Sequence, residues 1–502
     1  MLPVQAEPSP VFVGPNIDWF SLSPMLVLLG GALAILLLGA LFPGRWFRGA
    51  HALMTAVVAG AAGTMAIVLW HKISDGPKGL VGGALTLDGF GTFLTILICA
   101  SVLLTVLFTD DYVRREGLEG VENFVLRLLA AIGAIIMVMA NDLLVLFVGL
   151  EILSITLYAM AASHLRRSSS QESAVKYFVL GGFASAFLLY GLALIYGATG
   201  STNFTVIARF LSTTVVFDNG LLMAGFALML VGLGFKVAAA PFQQWTPDVY
   251  EGAPSPVTGF MASVAKAAAF GGLIRVFVVV FSSRVADWRP AVLVMTILTL
   301  IVGSFVAIVQ TDVKRMLAYS SISHAGFILL GVHAASASGV SGSLVYLAAY
   351  AIMVLGSFGV VTLVGRTGDG NHSLASYRGL AKERPVLAFV FAIFLLAQAG
   401  TPLTSGFIAK LGVLRAAVDN NSYGLAVLAM ACAAVSIFMY LRIVVAMFLS
   451  DPESGDEARE KIRVPLSAGV GLVAALAFTI VAGVLPSWLV DLADKAIPAL
   501  GF

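Results

Sequence analysis

Four charged side chains stand where hydrocarbon should exclude them. Glu151, Lys236, Lys266 and Lys410 each lie deep within an apolar run long enough to cross a bilayer. A charge at the bilayer centre costs about 2.5–3.5 kcal/mol on insertion scales, so four imply on the order of 10 kcal/mol unless partners and water offset it. Residues retained at that cost face a bundle interior and mark an ion or proton route. Desolvation and a neighbouring opposite charge act in opposite senses on a buried amine, which can then release and regain a proton. The plainer readings are a Glu151 that only fastens two helices and a Lys236 that extends its ammonium to an interface. Lys266, set between Ser263, Ala265 and Ala267, has neither interface in easy reach.

His324 closes the stretch Tyr319-Ser320-Ser321-Ile322-Ser323-His324, in the same run as His333. A neutral imidazole can pass a proton near physiological pH, and the adjacent hydroxyls with water would extend a relay; a helix–helix hydrogen bond is the simpler alternative. Arg275 and Arg442 sit nearer the ends of their runs, and Asp142 reads as interfacial.

The elements that must position these groups are membrane spans. Of 502 residues, 59% are hydrophobic and 11% charged, against about 25% charged in soluble domains. A crossing needs roughly 20 apolar residues. About 14 such runs are legible: 22–42, 50–71, 89–109, 124–140, 143–163, 173–198, 219–240, 256–281, 290–310, 317–335, 342–365, 386–417, 424–449 and 465–488. Alternate loops collect 17 Lys/Arg on one side and six on the other. By the positive-inside rule the richer side is cytoplasmic, which places both termini outward. The longest polar insert, Asp451–Arg463, runs from acidic to basic and reads as a tether. Met1–Pro10 lacks the basic start of a secretory signal.

Two runs are broken. In the seventh, Lys236 is followed by Ala238-Ala239-Ala240-Pro241 and a polar stretch to Asp248; the twelfth is interrupted at Gly400-Thr401-Pro402. Proline removes a donor and disfavours helix before it, and irregular backbone at membrane depth survives only inside protein or against a water-filled cavity. Paired breaks in two halves point to a conduction site, and each lies near a buried lysine. Cys99 and Cys432 form no motif, and neither a dinucleotide fingerprint, a phosphate loop nor a cysteine ligand set occurs. No cofactor is expected in this chain, and a net charge of +2 gives no field to recruit nucleic acid.

The stretch Gly234-Phe235-Lys236-Val237-Ala238-Ala239-Ala240-Pro241-Phe242-Gln243-Gln244-Trp245-Thr246-Pro247-Asp248-Val249-Tyr250-Glu251-Gly252-Ala253-Pro254, with Gln310-Thr311-Asp312-Val313-Lys314-Arg315-Met316-Leu317-Ala318-Tyr319-Ser320-Ser321-Ile322, resembles the signature of the antiporter-like subunits of respiratory complex I. The wording through His324-Ala325-Gly326 and the ending soon after the last span are most similar to the N-type branch of bacterial NADH–quinone oxidoreductases. The L-type carries a long lateral helix, and the M-type usually has glutamate where Lys410 stands. The resemblance implies an all-α polytopic membrane protein with two inverted five-helix repeats, containing the broken helices 7 and 12. The divisions are then 1–123 (helices 1–3), 124–282 (first repeat, helices 4–8), 283–450 (second repeat, helices 9–13) and 451–502 (loop and helix 14).

It also implies roles. Glu151 and Lys236 match a coupled pair, Lys266 a central lysine and Lys410 the terminal proton site; the relay through His324 rests on its own neighbouring hydroxyls. Gln243 stands where the family commonly has histidine. The implied function is proton translocation in the bacterial inner membrane, coupled to quinone reduction in partner membrane subunits that include antiporter-like neighbours. Two rivals remain: a subunit of a multi-subunit cation/proton exchanger, which shares the signature, and a purely structural membrane subunit.

Overall fold

The computed structural model describes residues 17–42, 50–73, 76–214, 219–370, 372–451 and 461–497. Met1–Pro10, Arg45, Arg48, Arg459 and most of the polar insert lie outside the described residues. Thirteen described helices are long and apolar enough to cross a membrane: α1 (Ser23–Leu41), α2 (Ala50–Lys72), α3 (Gly89–Arg115), α4 (Glu122–Met139), α5 (Leu143–Ala161), α6 (Ser168–Thr199), α7 (Gly220–Val237), α8 (Ser255–Val280), α9 (Val285–Ile308), α10 (Val313–Ala334), α11 (Ala337–Val364), α13 (Tyr423–Leu449) and α14 (Leu466–Val484). A fourteenth run is split into α12a (Pro385–Ala399) and α12b (Ser405–Asp419), matching the interruption expected at Gly400-Thr401-Pro402. The chain is an all-α, multi-pass membrane protein. A small hairpin, β1 (Lys78–Leu80) with β2 (Leu85–Leu87), joins α2 to α3.

Aspartates and serines set where the spans begin. Asp88 accepts from Gly91 N at 2.7 Å, Asp142 from Leu144 N at 2.8 Å and Asp312 from Arg315 N at 3.0 Å, and Ser336 accepts from Gly339 N at 3.2 Å. Each satisfies one of the unpaired donors at a helix start. Asp142, read as interfacial, is thus the cap of α5, and it also accepts from Thr202 Oγ1 at 2.6 Å. Arg275 is held bidentately by Asp88, at 2.8 and 2.6 Å, which fastens α8 to the start of α3.

The helices differ in how far neighbours enclose them. Over its most apolar stretch α11 is 100% buried, and α8 and α10 are 94% buried, whereas α1 is 28% buried. The interior is therefore built on α8, α10 and α11, with α1, α2 and α6 outermost. Intimate crossings position the site helices. At the α4–α5 crossing Gly133 and Gly149 face each other: a side chain at Gly149 would meet Met137 N at 2.8 Å and Gly133 O at 2.9 Å. Small residues permit this approach, and the crossing fixes the turn of α5 that carries Glu151.

Both breaks are satisfied from within. α7 ends with Ala238 in the left-handed region (φ +62°). Ala239 N returns to Gly234 O at 2.9 Å, Ala240 N donates to Thr299 Oγ1 at 2.9 Å, and Trp245 Nε1 caps Phe235 O at 2.9 Å. At the second break Gly400 (φ +93°) turns the chain, and Lys410 Nζ caps Ala399 O at 2.7 Å.

Overpacking a tight crossing costs about 1–3 kcal/mol. Gly149→Ala should therefore lower the thermal unfolding midpoint of the purified assembly, whereas Gly197→Ala, where a Cβ meets nothing within 4 Å, should leave it unchanged.

Candidate functional site

Lys236 is buried in the last turn of α7 and aims at α5 and α6. Its Nζ donates to Ser154 Oγ at 2.8 Å and to Tyr177 OH at 3.2 Å, and lies 5.2 Å from the centre of the Tyr177 ring. Glu151, half-buried on α5, accepts instead from Ser185 Oγ on α6. No ion pair within 4.0 Å joins Glu151 to Lys236 among the described residues. The structure thus keeps the two charges near one cleft but separately partnered. That cleft, only about 10 Å3, is lined by Ser154, Tyr158, Ser185 and Lys236 among others.

Lys266 follows a π-helical stretch, Met261–Ala265, within α8. Such bulges are frequent at functional sites. Its Nζ donates to Ser321 O at 2.5 Å and Ser321 Oγ at 2.6 Å on α10, and sits 5.3 Å from the Tyr350 ring centre. Between Lys236 and Lys266 stands an aromatic series: Tyr177 stacks on Trp245 at 4.5 Å, Trp245 meets Tyr250 at 6.2 Å, and Tyr250 OH is 3.5 Å from Ser321 Oγ.

His324 is fully partnered. Nδ1 is 2.7 Å from Tyr346 OH and Nε2 is 3.2 Å from Tyr440 OH. Tyr440 OH is 2.5 Å from Ser320 Oγ, Ser320 donates to Gln398 Oε1 at 3.3 Å, and Gln398 Nε2 donates to Ser357 Oγ at 2.7 Å. This network leads from α10 into α12a, two residues before the break that Lys410 caps. Lys410 Nζ also lies 5.0 Å from the Phe327 ring centre. Of the hydroxyls in the Tyr319–Ser323 stretch, Ser320 joins the His324 network, Ser321 serves Lys266, and Ser323 turns away to Ser304 at 3.1 Å.

The site residues therefore fall in three groups: Glu151 and Lys236 about the cleft, Lys266 on Ser321, and His324 with Lys410 around the second break. Tyr350 lies in the gap between the second and third. Its ring is 4.7 Å from His324 and 5.3 Å from Lys266 Nζ, and its buried hydroxyl has no partner among the described residues. Tyr177, Tyr346, Tyr350, Tyr440 and Gln398 were not singled out from the sequence. The available signal was a polar tip inside an apolar span. Gln243 leaves its buried Oε1 without a donor among the described residues. Among the described residues, no group of three or more His, Cys, Asp or Glu stands ready to hold a metal.

A second ionic centre caps the helix ends. Asp369, fully buried in the loop after α11, accepts from Arg167 at 2.9 Å, His372 Nε2 at 2.8 Å, Ser255 Oγ at 2.7 Å, Ser255 N at 3.1 Å and Tyr112 OH at 3.2 Å. Lys314 Nζ lies 4.0 Å away and donates to Ala253 O at 2.6 Å. Burial alone would raise this carboxyl, but Lys314, His372 and Arg167 outweigh it and hold it well below the usual carboxylate range. One side chain thereby ties α3, α6, α8 and α10 to the α11 loop.

The architecture and the lysine-bearing breaks define a class. The transmembrane family described as NADH:quinone oxidoreductase/Mrp antiporter matches residues 140–436, and the chain belongs to that family. Within it, the chain is 40% identical over 533 aligned residues to NADH-quinone oxidoreductase subunit N 3 of Streptomyces griseus subsp. griseus, covering 98% of this chain and 96% of that one. A chain of respiratory complex I from Thermus thermophilus, solved with aureothin bound, superposes with a TM-score of 0.79 at 33% identity, covering 94% of this chain and 99% of that one. A chain of the Mrp complex from Dietzia sp. DQ12-45-1b shares the fold, with a TM-score of 0.84 at 22% identity over 96% and 97% of the two chains.

An aspartate held below its ordinary range stabilises the fold fully above about pH 4, the unfolded value, and loses that contribution only as pH falls through the lowered value. Removing its charge leaves buried cations uncompensated, at a cost of about 3–5 kcal/mol. Asp369→Asn should therefore speed amide exchange in 365–370 and at the start of α8 at neutral pH, while the parent chain stays protected down to pH 4.

Proposed function

We propose that this chain is a proton-translocating, non-redox membrane subunit of an NADH–quinone oxidoreductase, working beside other membrane subunits that reduce quinone or resemble it. The observation that carries this reading is the bonding of its three interior lysines. Each is enclosed by helices, and each meets only neutral oxygens: Ser154 and Tyr177, Ser321, or Ala399 O. An amine without a fixed counter-charge can hand its proton on, whereas a carboxylate in contact would clamp it. At about 4 Å and an effective dielectric of about 20, such a contact is worth about 4 kcal/mol.

On this reading a proton is taken up from the cytoplasmic side at Lys236. Glu151, now turned to Ser185, biases that proton when it swings towards the cleft. Transfer then runs by Lys266 and the His324–Tyr440–Ser320–Gln398 network to Lys410, and release is to the periplasmic side. Spans α4–α8 and α9–α13 act as two inverted repeats, each with one broken helix, corresponding to 124–282 and 283–450. The identity to subunit N relatives over nearly the whole chain favours this assignment over a cation exchanger, for which the Mrp likeness supports the fold alone.

In vesicles containing the assembled complex, Lys236→Ala should remove most proton transport coupled to quinone reduction, with the co-purifying subunits unchanged. Undiminished pumping by that assembled variant would overturn the pathway. Lys410→Glu, which keeps an ionisable group, should retain partial transport.

A further inference from the structure

Two neighbouring cavities at one membrane face have no part in the proton route. The first, about 320 Å3, lies where α3 and α11 end and the segment leading into α14 begins; it is lined by Arg114, Arg115, Arg366, Lys461 and Arg463 against one acid, Asp111. Arg114 is paired with Asp110, Arg115 with Asp111 and Glu116, and Arg366 with Glu383. Lys461 and Arg463 have no acidic partner among the described residues. Arg366 is only 7% exposed, yet its Nε has no acceptor among them. A phosphate oxygen is the acceptor whose geometry and charge suit the guanidinium and ammonium groups that line this cavity.

The second cavity, about 360 Å3, is an apolar groove between α12a and α14, lined by Pro385, Val386, Val390, Leu472 and Val473, with Arg384 also on its wall. Gly469 widens it, since a side chain there would meet only Val464, at 4.0 Å. The two are joined through Glu383, which lines the groove while accepting from Arg366 at 3.1 Å and from Ile462 N at 3.2 Å on the basic side. Residues 461–463 line one cavity and Val464 the other.

We propose that this composite site holds one anionic phospholipid, its phosphate among Arg366, Lys461 and Arg463 and an acyl chain in the groove between α12a and α14. Basic pockets at the ends of membrane helices suit anionic headgroups. The apolar groove excludes a free phosphate as the natural occupant. A zwitterionic lipid leaves the cations that lack an acidic partner among the described residues uncompensated, and a partner helix would use the groove without them.

The test uses the intact purified assembly and two photoactivatable probes with the same diazirine acyl chain, one a phosphatidylglycerol and the other a phosphatidylcholine. The phosphatidylglycerol should label the segments 384–390 and 464–473 several-fold more than the phosphatidylcholine. The double substitution Lys461→Gln with Arg463→Gln, at exposed positions outside the core, should bring the two yields together. Val473→Trp should lower both by filling the groove, and millimolar glycerol phosphate should not displace the probe. The proposal is overturned by equal labelling from the two headgroups, by a headgroup preference that survives the double substitution, by displacement with glycerol phosphate alone, or by a partner-subunit helix cross-linked into the groove.

Discussion

Hydrocarbon offers no hydrogen bonds, so each polar group at membrane depth must find its partner inside the protein. The whole arrangement follows from how that requirement is met. Charges near helix ends are clamped by opposite charges: Arg275 by Asp88, Asp369 by Arg167 and His372, and Arg315 by Asp248 and Glu251. The amines of the interior are not. Lys236, Lys266 and Lys410 are solvated by hydroxyls and carbonyls, which offset desolvation without fixing where the proton stays. A bundle whose ends are pinned by ion pairs and whose middle carries unclamped amines can be rigid and still exchange protons.

The broken helices make that middle possible. An unbroken α7 or α12 would bond its own carbonyls and offer none to a side chain. Ending α7 at Val237 and α12a at Ala399 frees carbonyls at depth, and the protein supplies Trp245 to one break and Lys410 to the other. Trp245 presents an indole N–H that does not ionise, whereas Lys410 presents an ionisable amine. The two breaks are alike in construction but chemically distinct, and the His324 network reaches the one with the ionisable cap.

Much of this was legible in the sequence because a span is a local property of length and apolar content. The expected start and end of α1, α2 and α4 fall within two residues of those observed. The breaks were legible because proline and glycine act on their own backbone. Partnerships were not. On α5, Glu151 and Ser154 are three residues apart and so share a face; the sequence suggests that the charge meets Lys236, yet Ser154 occupies that approach and Glu151 turns to Ser185. Tyr350, Tyr440 and Gln398 read as ordinary members of apolar runs, and their importance comes from contacts across helices far apart in the chain. Asp369 hides in a loop between Gly368 and Gly370, and only the folded arrangement brings Arg167, Lys314 and Ser255 to it.

Lys410 is at once an ionisable group and the cap on a severed helix. These two roles share one nitrogen, and they are bound by thermodynamic reciprocity. The ammonium also complements the negative end of the α12a dipole, so discharging it weakens the seam between α12a and α12b. Pulling that seam open must by the same amount alter how tightly the nitrogen keeps its proton. Chemistry and mechanics meet there on a single atom, and on the proposed reading a displaced helix becomes a displaced charge.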